Sequence, residues 1–181
     1  MTHSVVWTVG HSTRPIQEFL NLLLRQGIRH LVDVRAIPFS RRNPQFNQDA
    51  LAKALESAEI AYSHMPALGG RRKSRTDSKN TGWRNASFRA YADYMQTPDF
   101  QAAIKELTGL AADTRTVIMC AEVVPWRCHR SLISDACIAQ GWTVLEIVSE
   151  AEPKPHTLPA WATMENGQVT YPGQGQEQLL L

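Results

Sequence analysis

The segment from Thr116 to Gly141 constrains the fold more than any other part of the chain. It begins with the β-branched, apolar run Thr116-Val-Ile-Met, which predicts a buried strand. It ends with apolar residues at helical spacing and Gly141 as a stop. Between them, the loop from Cys120 to Arg130 holds two cysteines, a histidine, a carboxylate and two arginines. Ligands of open α/β sheets bind in such loops, so the segment predicts both an α/β fold and a functional loop.

The rest of the chain repeats this alternation of strand and helix. Strands are predicted over 5–9, 30–35, 60–65, 116–119 and 143–148, and helices over 15–26, 47–59, 86–95, 98–110 and 128–140. This order predicts a single α/β domain, residues 1–152, with a mostly parallel sheet of about five strands and helices on both faces. Residues 153–181 are rich in Pro, Gly and Gln, and we expect a tail that packs on this domain or extends from it.

Size and composition favour a cytoplasmic globular protein. A chain of 181 residues with 43% hydrophobic residues can bury a core without cross-links. The odd number of cysteines, 3, favours reduced thiols over a disulfide framework. No run reaches the roughly 18 apolar residues of a membrane span, and the first residues do not resemble a signal peptide. We therefore expect no membrane partner, while the oligomeric state stays open.

The exit loops of the predicted strands bring polar residues together. Right-handed crossovers place the carboxyl ends of all parallel strands on one edge of the sheet. The residues expected at this edge are His11, Ser12, Asp33, Arg35, Arg41, Arg42, His64 and the Cys120–Arg130 loop. Several separate segments that deliver ionisable groups to one edge predict a binding site there.

Positive charge is concentrated in one part of the chain. From Arg35 to Arg89 there are 11 lysines and arginines against 4 aspartates and glutamates, although the whole chain carries only +2. The excess favours an anionic small molecule or nucleic acid as partner, and a solvated basic surface is the alternative. The long irregular stretch after His64 contains Arg71 and Arg72, and we expect it to form a mobile cover over the anion. The candidate anion-binding residues are His11, Ser12, Arg35, Arg41, Arg42, Arg71 and Arg130.

Four residues are candidates for catalysis. Cys128 and His129 are expected to open a helix, where the unpaired amides stabilise a thiolate and His129 acts as a base. The alternative is a packed cysteine beside a capping histidine. Glu122 is either a general acid or base, or the partner of an arginine. Asp33 is the fourth candidate, although a buried ion pair between Asp33 and Arg35 is the favoured interpretation.

A metal site is a weaker hypothesis. Cys120, Cys128 and His129, with His11 or His64, would supply four ligands that suit zinc. Their spacing matches no common zinc-binding pattern, so we predict no metal and no other cofactor.

The chain resembles the bacterial and archaeal family called domain of unknown function 488. The resemblance rests on four motifs, Val9-Gly-His-Ser-Thr, Leu31-Val-Asp-Val-Arg35, His64-Met-Pro-Ala-Leu-Gly-Gly70 and Cys120-Ala-Glu…Pro125…Cys128-His-Arg130. It implies a single cytoplasmic α/β domain and no agreed activity, substrate or cofactor. The matching motif residues are Asp33, Arg35, Glu122, Cys128, His129 and Arg130.

Three functions follow from these observations. The leading hypothesis is an enzyme that acts on a phosphate-bearing substrate, a nucleotide or nucleic-acid component, at the sheet edge. The second is a non-catalytic module that binds anions or nucleic acid, with structural thiols. The third is a protein that responds to metal or redox state.

Overall fold

The computed structural model describes residues 4–173 and contains a six-stranded sheet. Its strands are β1 (Val5–Gly10), β2 (His30–Asp33), β3 (Ala61–His64), β4 (Thr116–Cys120), β5 (Thr143–Ile147) and β6 (Lys154–Pro155). They lie in the order β3-β2-β4-β1-β5-β6; the first five are parallel, and β6 pairs antiparallel with β5. The predicted α/β class with a mostly parallel sheet is confirmed.

In the described part of the chain, five α-helices cover the sheet: α1 (Ile16–Arg25), α2 (Gln48–Ser57), α3 (Ala86–Met95), α4 (Pro98–Asp113) and α5 (Arg130–Ala139). Apolar residues of α1 and α2 form one core with Trp7, Val9 and Val117. Residues of α3, α4 and α5 form a second core with Val6 and Ile118. Since neighbouring strand residues point to opposite faces, the two cores lie on opposite faces of the sheet.

Local sequence signals explain where several helices begin and end. The side chain of Asn85 accepts hydrogen bonds at the start of α3, and that of Thr97 accepts one at the start of α4, where Pro98 is the first helical residue. Gly141 follows α5 with φ +85°, a conformation that other residues rarely adopt. The predicted stop at Gly141 is therefore confirmed.

The strand order places three exit loops side by side. β4 lies between β2 and β1, so Cys120 pairs with Gly10, and Met119 pairs with Asp33. The pairing continues beyond the strands, because His11 N donates to the carbonyl of Cys120 at 2.9 Å. The loops after β1, β2 and β4 consequently share one edge of the sheet.

The segment after β5 packs against the sheet and helix α5. β7 (Thr163–Glu165) and β8 (Gln168–Thr170) form a hairpin, and Tyr171 is fully buried in the core beside α5. Residues 174–181 of the predicted tail lie outside the described residues. Within residues 4–173, no helix has the length and apolar character needed to cross a membrane.

Candidate functional site

A cavity of about 520 Å³ opens at the edge where the exit loops of β1, β2 and β4 meet. The loop after β3 and helix α3 complete its wall. Among the residues that line it are His11, Arg35, Phe39, Gly70, Arg71, Phe88, Tyr91, Cys120, Glu122, Arg127, Cys128 and His129. Of the groups expected at this edge, His11, Arg35 and six residues of the Cys120–Arg130 loop line the cavity.

Two thiols and an imidazole form a cluster in this cavity. Three atoms lie within 4.8 Å of one another: the Sγ atoms of Cys120 and Cys128 and a ring nitrogen of His129. The Cys128 Sγ to His129 Nδ1 distance is 3.6 Å. The other ring nitrogen of His129, Nε2, lies 3.1 Å from the carbonyl oxygen of Val34. A carbonyl oxygen only accepts, so Nε2 carries the hydrogen and Nδ1 faces the cysteines.

The backbone around Cys128 and His129 differs in part from the sequence-based prediction. α5 begins at Arg130, so Cys128 and His129 do not lie within the helix. Cys128 follows a short 3-10 turn, Pro125–Arg127, and His129 occupies the N-cap position of α5 without a side-chain capping hydrogen bond. The helix starts two residues later than predicted because Pro125 sets that separate turn first. Cys128 nevertheless remains beside the amino-terminal end of α5.

The two thiols of the cluster have very different acidities. A hydrogen bond from the Cys120 thiol lowers the pKa of Cys128 to about 3, against the opposing effect of burial, and His129 and Arg130 lower that pKa further. The same hydrogen bond and burial raise the pKa of Cys120 well above its usual value. Cys137 lies in the core, and burial raises its pKa to about 12. The arrangement thus favours ionisation of Cys128 over that of Cys120 or Cys137.

Arg130 lies beneath the loop and does not line the cavity. Its side chain is 1% exposed. Nη1 donates to Thr8 Oγ1 at 2.6 Å, and Nη2 donates to the carbonyl oxygens of Glu122 and Val123. Arg130 was expected to bind an anion directly, but its contacts connect β1 to the backbone of the Cys120–Arg130 loop at Glu122 and Val123.

Arg35 reaches the cavity wall, but its charge is already paired. It donates to both carboxylate oxygens of Asp33, at 2.9 and 2.6 Å, and to the carbonyl oxygen of Phe46. Asp33 has no exposed surface and also accepts from the Tyr62 hydroxyl at 2.9 Å. The structure places Asp33 behind the cavity, where it fixes Arg35.

His11 lines the cavity as a neutral imidazole. Burial lowers its pKa to about 4, and the charge of Arg35 adds to this effect. Its Nδ1 donates to the Ser12 carbonyl at 2.7 Å, and its ring stacks on Phe46. Nε2 lies 3.4 Å from Arg35 Nη1, so the unprotonated nitrogen accepts from the guanidinium. The side chain of His11 therefore acts as a hydrogen-bond acceptor near the cavity.

Two arginines remain at the rim. Arg71 and Arg127 are exposed and line the cavity, as does Glu122. Arg41 and Arg42 are also exposed but do not line the cavity. Ser12, another predicted anion-binding residue, is likewise not part of the lining. Of the candidate anion-binding residues, His11, Arg35 and Arg71 line the cavity. Arg71 is the exposed one of these three.

Arg72 has a different role from its neighbour. Its guanidinium donates to the carbonyl oxygens of Gly69 and Ala67 and lies 3.5 Å from the centre of the Tyr94 ring. These contacts hold Arg72 against the loop and helix α3, whereas Arg71 is exposed at the cavity. The loop is also fixed further on, where buried Asn80 donates to Asp93 at 2.8 Å.

Sequence reasoning missed the importance of Gly70. A Cβ atom at this position would lie 2.6 Å from His129 Nδ1, so only glycine lets the imidazole occupy its place. Arg127 also lies at the rim, although it was not among the predicted anion-binding residues. The Gly69-Gly70 pair was a visible signal of close backbone approach. The sequence does not show that the group approached is His129, which lies 59 positions later in the chain.

The fold and the site define an α/β protein with a thiol–imidazole cluster at the carboxyl edge of a parallel sheet. The chain belongs to the family described as Domain of unknown function DUF488, whose model matches residues 15–137. The matched range contains Glu122, Cys128 and His129, whereas His11 lies outside it. A search of curated proteins and a search of solved structures each found no match.

Proposed function

We propose that this protein is an enzyme that acts on a phosphate-bearing substrate, a nucleotide or a nucleic-acid component, in the cavity described above. One observation carries the proposal: the Cys128–His129 cluster and Glu122 line the same cavity as the exposed arginines Arg71 and Arg127. Groups that can react and groups that can hold an anion thus surround one space.

The size and walls of the cavity suit a nucleotide. Its volume of about 520 Å³ falls in the range typical of small-molecule sites. Phe39 and Phe88 supply aromatic surface on its wall. Aromatic rings favour stacking with a nucleobase, which contributes roughly 1–3 kcal/mol per base in other proteins.

The charges favour a phosphate at the rim. Arg35 is paired with Asp33, and Arg130 is enclosed beneath the loop, so both are committed to internal contacts. Arg71 and Arg127 are exposed at the cavity mouth. A guanidinium group binds phosphate through two parallel hydrogen bonds, so we assign these two residues to the phosphate.

The reacting groups follow from the same geometry. Cys128 with His129, or Glu122, performs the chemistry, as a nucleophile with its base or as a general acid and base. Asp33 contributes through Arg35, since it is enclosed behind the wall.

A product screen tests the proposal. The full chain is incubated with nucleoside mono-, di- and triphosphates, short oligonucleotides and the matching nucleosides, and products are identified by mass spectrometry. We expect turnover of at least one phosphate-bearing compound and none of its nucleoside. Glu122→Gln should slow turnover about 100-fold or more. Glu106→Gln, the same change at an exposed position of α4, should have no effect.

Two results would contradict the proposal. Tight, salt-sensitive binding of these compounds without any product would identify a binding module instead. Equal turnover of a nucleotide and its nucleoside would show that Arg71 and Arg127 do not recognise phosphate.

A further inference from the structure

We infer that Cys120, Cys128 and His129 form a tetrahedral zinc site whose fourth position opens into the cavity. The inference deepens the proposed function, because it names the metal of the same site, and it rests on that function for its catalytic role. With Cys128 and His129 as ligands, Glu122 is the residue that moves the proton. The residue spacing in sequence did not predict this site, and the three-dimensional arrangement of the donor atoms supplies the argument.

The distance between the donor atoms fits zinc. A tetrahedral ion with Zn–S bonds of about 2.3 Å and Zn–N bonds of about 2.0–2.1 Å separates a sulfur and a nitrogen ligand by about 3.6 Å. Cys128 Sγ and His129 Nδ1 are 3.6 Å apart, and Cys120 Sγ lies within 4.8 Å of both. The cluster therefore needs little adjustment to enclose an ion.

Neighbouring residues can share this ion because the backbone changes direction between them. In a continuous strand adjacent side chains point to opposite faces. Cys128 is extended, with φ −133° and ψ 145°, whereas His129 has helical angles, φ −57° and ψ −14°. The donor atoms of both side chains consequently meet on one side.

The imidazole is already held as a metal ligand would be. A histidine that binds a metal through one nitrogen usually donates its other ring N–H to a carbonyl or carboxylate, which fixes the ring and its tautomer. His129 makes such a bond from Nε2 to the carbonyl of Val34, and its Nδ1 faces the thiols. Gly70 leaves the space that this ring position requires.

The donor set selects the ion and suggests its role. Two thiolates and an imidazole favour zinc over magnesium or calcium, and three protein ligands with an open position are typical of catalytic zinc. A water at that position would lose a proton to Glu122, which lines the same cavity. The resulting hydroxide forms a bond to the substrate, the bond to the leaving group breaks, and the leaving group takes the proton from Glu122. The net reaction is hydrolysis.

Metal analysis of the purified full chain, expressed without a histidine tag in zinc-supplemented medium, tests the site. We expect about one zinc per chain. After removal of zinc, cobalt titration should give a thiolate-to-cobalt charge-transfer band and the intense visible bands of a tetrahedral ion. Cys128→Ala should weaken cobalt binding at least tenfold, whereas Cys137→Ala, the same change in the core, should leave it intact.

The opposite results would overturn the zinc site. In the first, the purified chain contains no zinc and also gives no tetrahedral cobalt spectrum. In the second, a folded Cys128→Ala variant retains full affinity for cobalt. If Cys128→Ala does not fold, the cobalt spectrum of the unaltered chain decides. Turnover by a metal-free chain would contradict the zinc site but not the proposed function. Zinc binding without turnover of any compound would contradict the proposed function but not the zinc site.

Discussion

Arg35 and Asp33 form a two-point ion pair inside the protein, with Nε to Oδ1 at 2.9 Å and Nη2 to Oδ2 at 2.6 Å. Their side chains are 7% and 0% exposed. Arg75 and Asp77 form a pair of the same geometry, at 3.0 and 2.9 Å, on the surface, where their side chains are 61% and 69% exposed. Comparison of the two pairs separates the effect of burial from that of geometry.

Asp33→Ala should therefore destabilise the protein much more than Asp77→Ala. Without Asp33, a buried guanidinium remains uncompensated, which costs about 3–5 kcal/mol. Asp77→Ala should produce no measurable change, because water solvates the exposed Arg75. Urea unfolding of both variants measures the difference. Similar, small losses in the two variants would show that Asp33 does not hold Arg35 in place.

Gly70→Ala should disrupt the site without unfolding the protein. The added Cβ would contact His129 Nδ1 at 2.6 Å, so the ring must move away from Cys128. We expect at least tenfold weaker cobalt binding and a melting temperature within a few degrees of the original. Gly109→Ala is the control: it lies on α4 with no atom within 4 Å of the new Cβ, and it should add about 0.5–1 kcal/mol of stability. Unchanged cobalt binding in Gly70→Ala would contradict the assigned position of His129.

The adjacent residues Arg71 and Arg72 should respond differently to the same substitution. Arg71→Ala should weaken binding of a nucleoside monophosphate and reduce its salt dependence, with stability unchanged, because Arg71 is exposed at the cavity. Arg72→Ala should lower the melting temperature, since it removes the contacts to Gly69, Ala67 and Tyr94. Titration calorimetry and thermal unfolding measure the two effects. A loss of stability in Arg71→Ala with no change in affinity would assign it a structural role.

His156 makes stability depend on pH. Burial alone would lower the pKa of His156, but hydrogen bonds to Asp135 and Glu146 at 2.7 and 2.6 Å, together with their charges, outweigh it and raise the pKa to about 9. Since this value lies above that of the unfolded chain, the stabilisation is complete below about pH 6.5 and is lost as pH rises through about 9.

His156→Gln tests this dependence. The difference in free energy of unfolding between the original chain and the variant should be up to about 3 kcal/mol larger at pH 6 than at pH 9.5. Denaturant unfolding at several pH values gives this difference directly. A difference that stays constant or grows with pH would show that the protonated imidazole does not hold the segment after β5 against α5.

Much of the fold could be predicted from sequence because its signals are local. The apolar pattern of α1, the Thr97-Pro98 start of α4 and the β-branched run of β4 each act within a few residues. The meeting of the exit loops followed from the handedness of parallel connections.

The internal roles of the arginines could not be predicted in this way. Arg130 contacts Thr8, 122 positions earlier, and His129 contacts Val34, 95 positions earlier. Such pairings depend on the strand order, in particular on the position of β4 between β2 and β1. The sequence shows a concentration of arginines, but the three-dimensional fold decides which of them are enclosed and which remain at the rim.

Turnover by Cys128→Ala, compared with Cys137→Ala, tests the central claim most directly. Both variants lose one thiol, but Cys128 lines the cavity and Cys137 lies in the core. With a phosphate-bearing compound from the product screen, and rates corrected for the folded fraction, we predict at least a 100-fold loss of kcat/KM for Cys128→Ala. We predict a change of no more than about threefold for Cys137→Ala. Full activity in a folded Cys128→Ala variant would contradict the assignment of the reaction to this cavity.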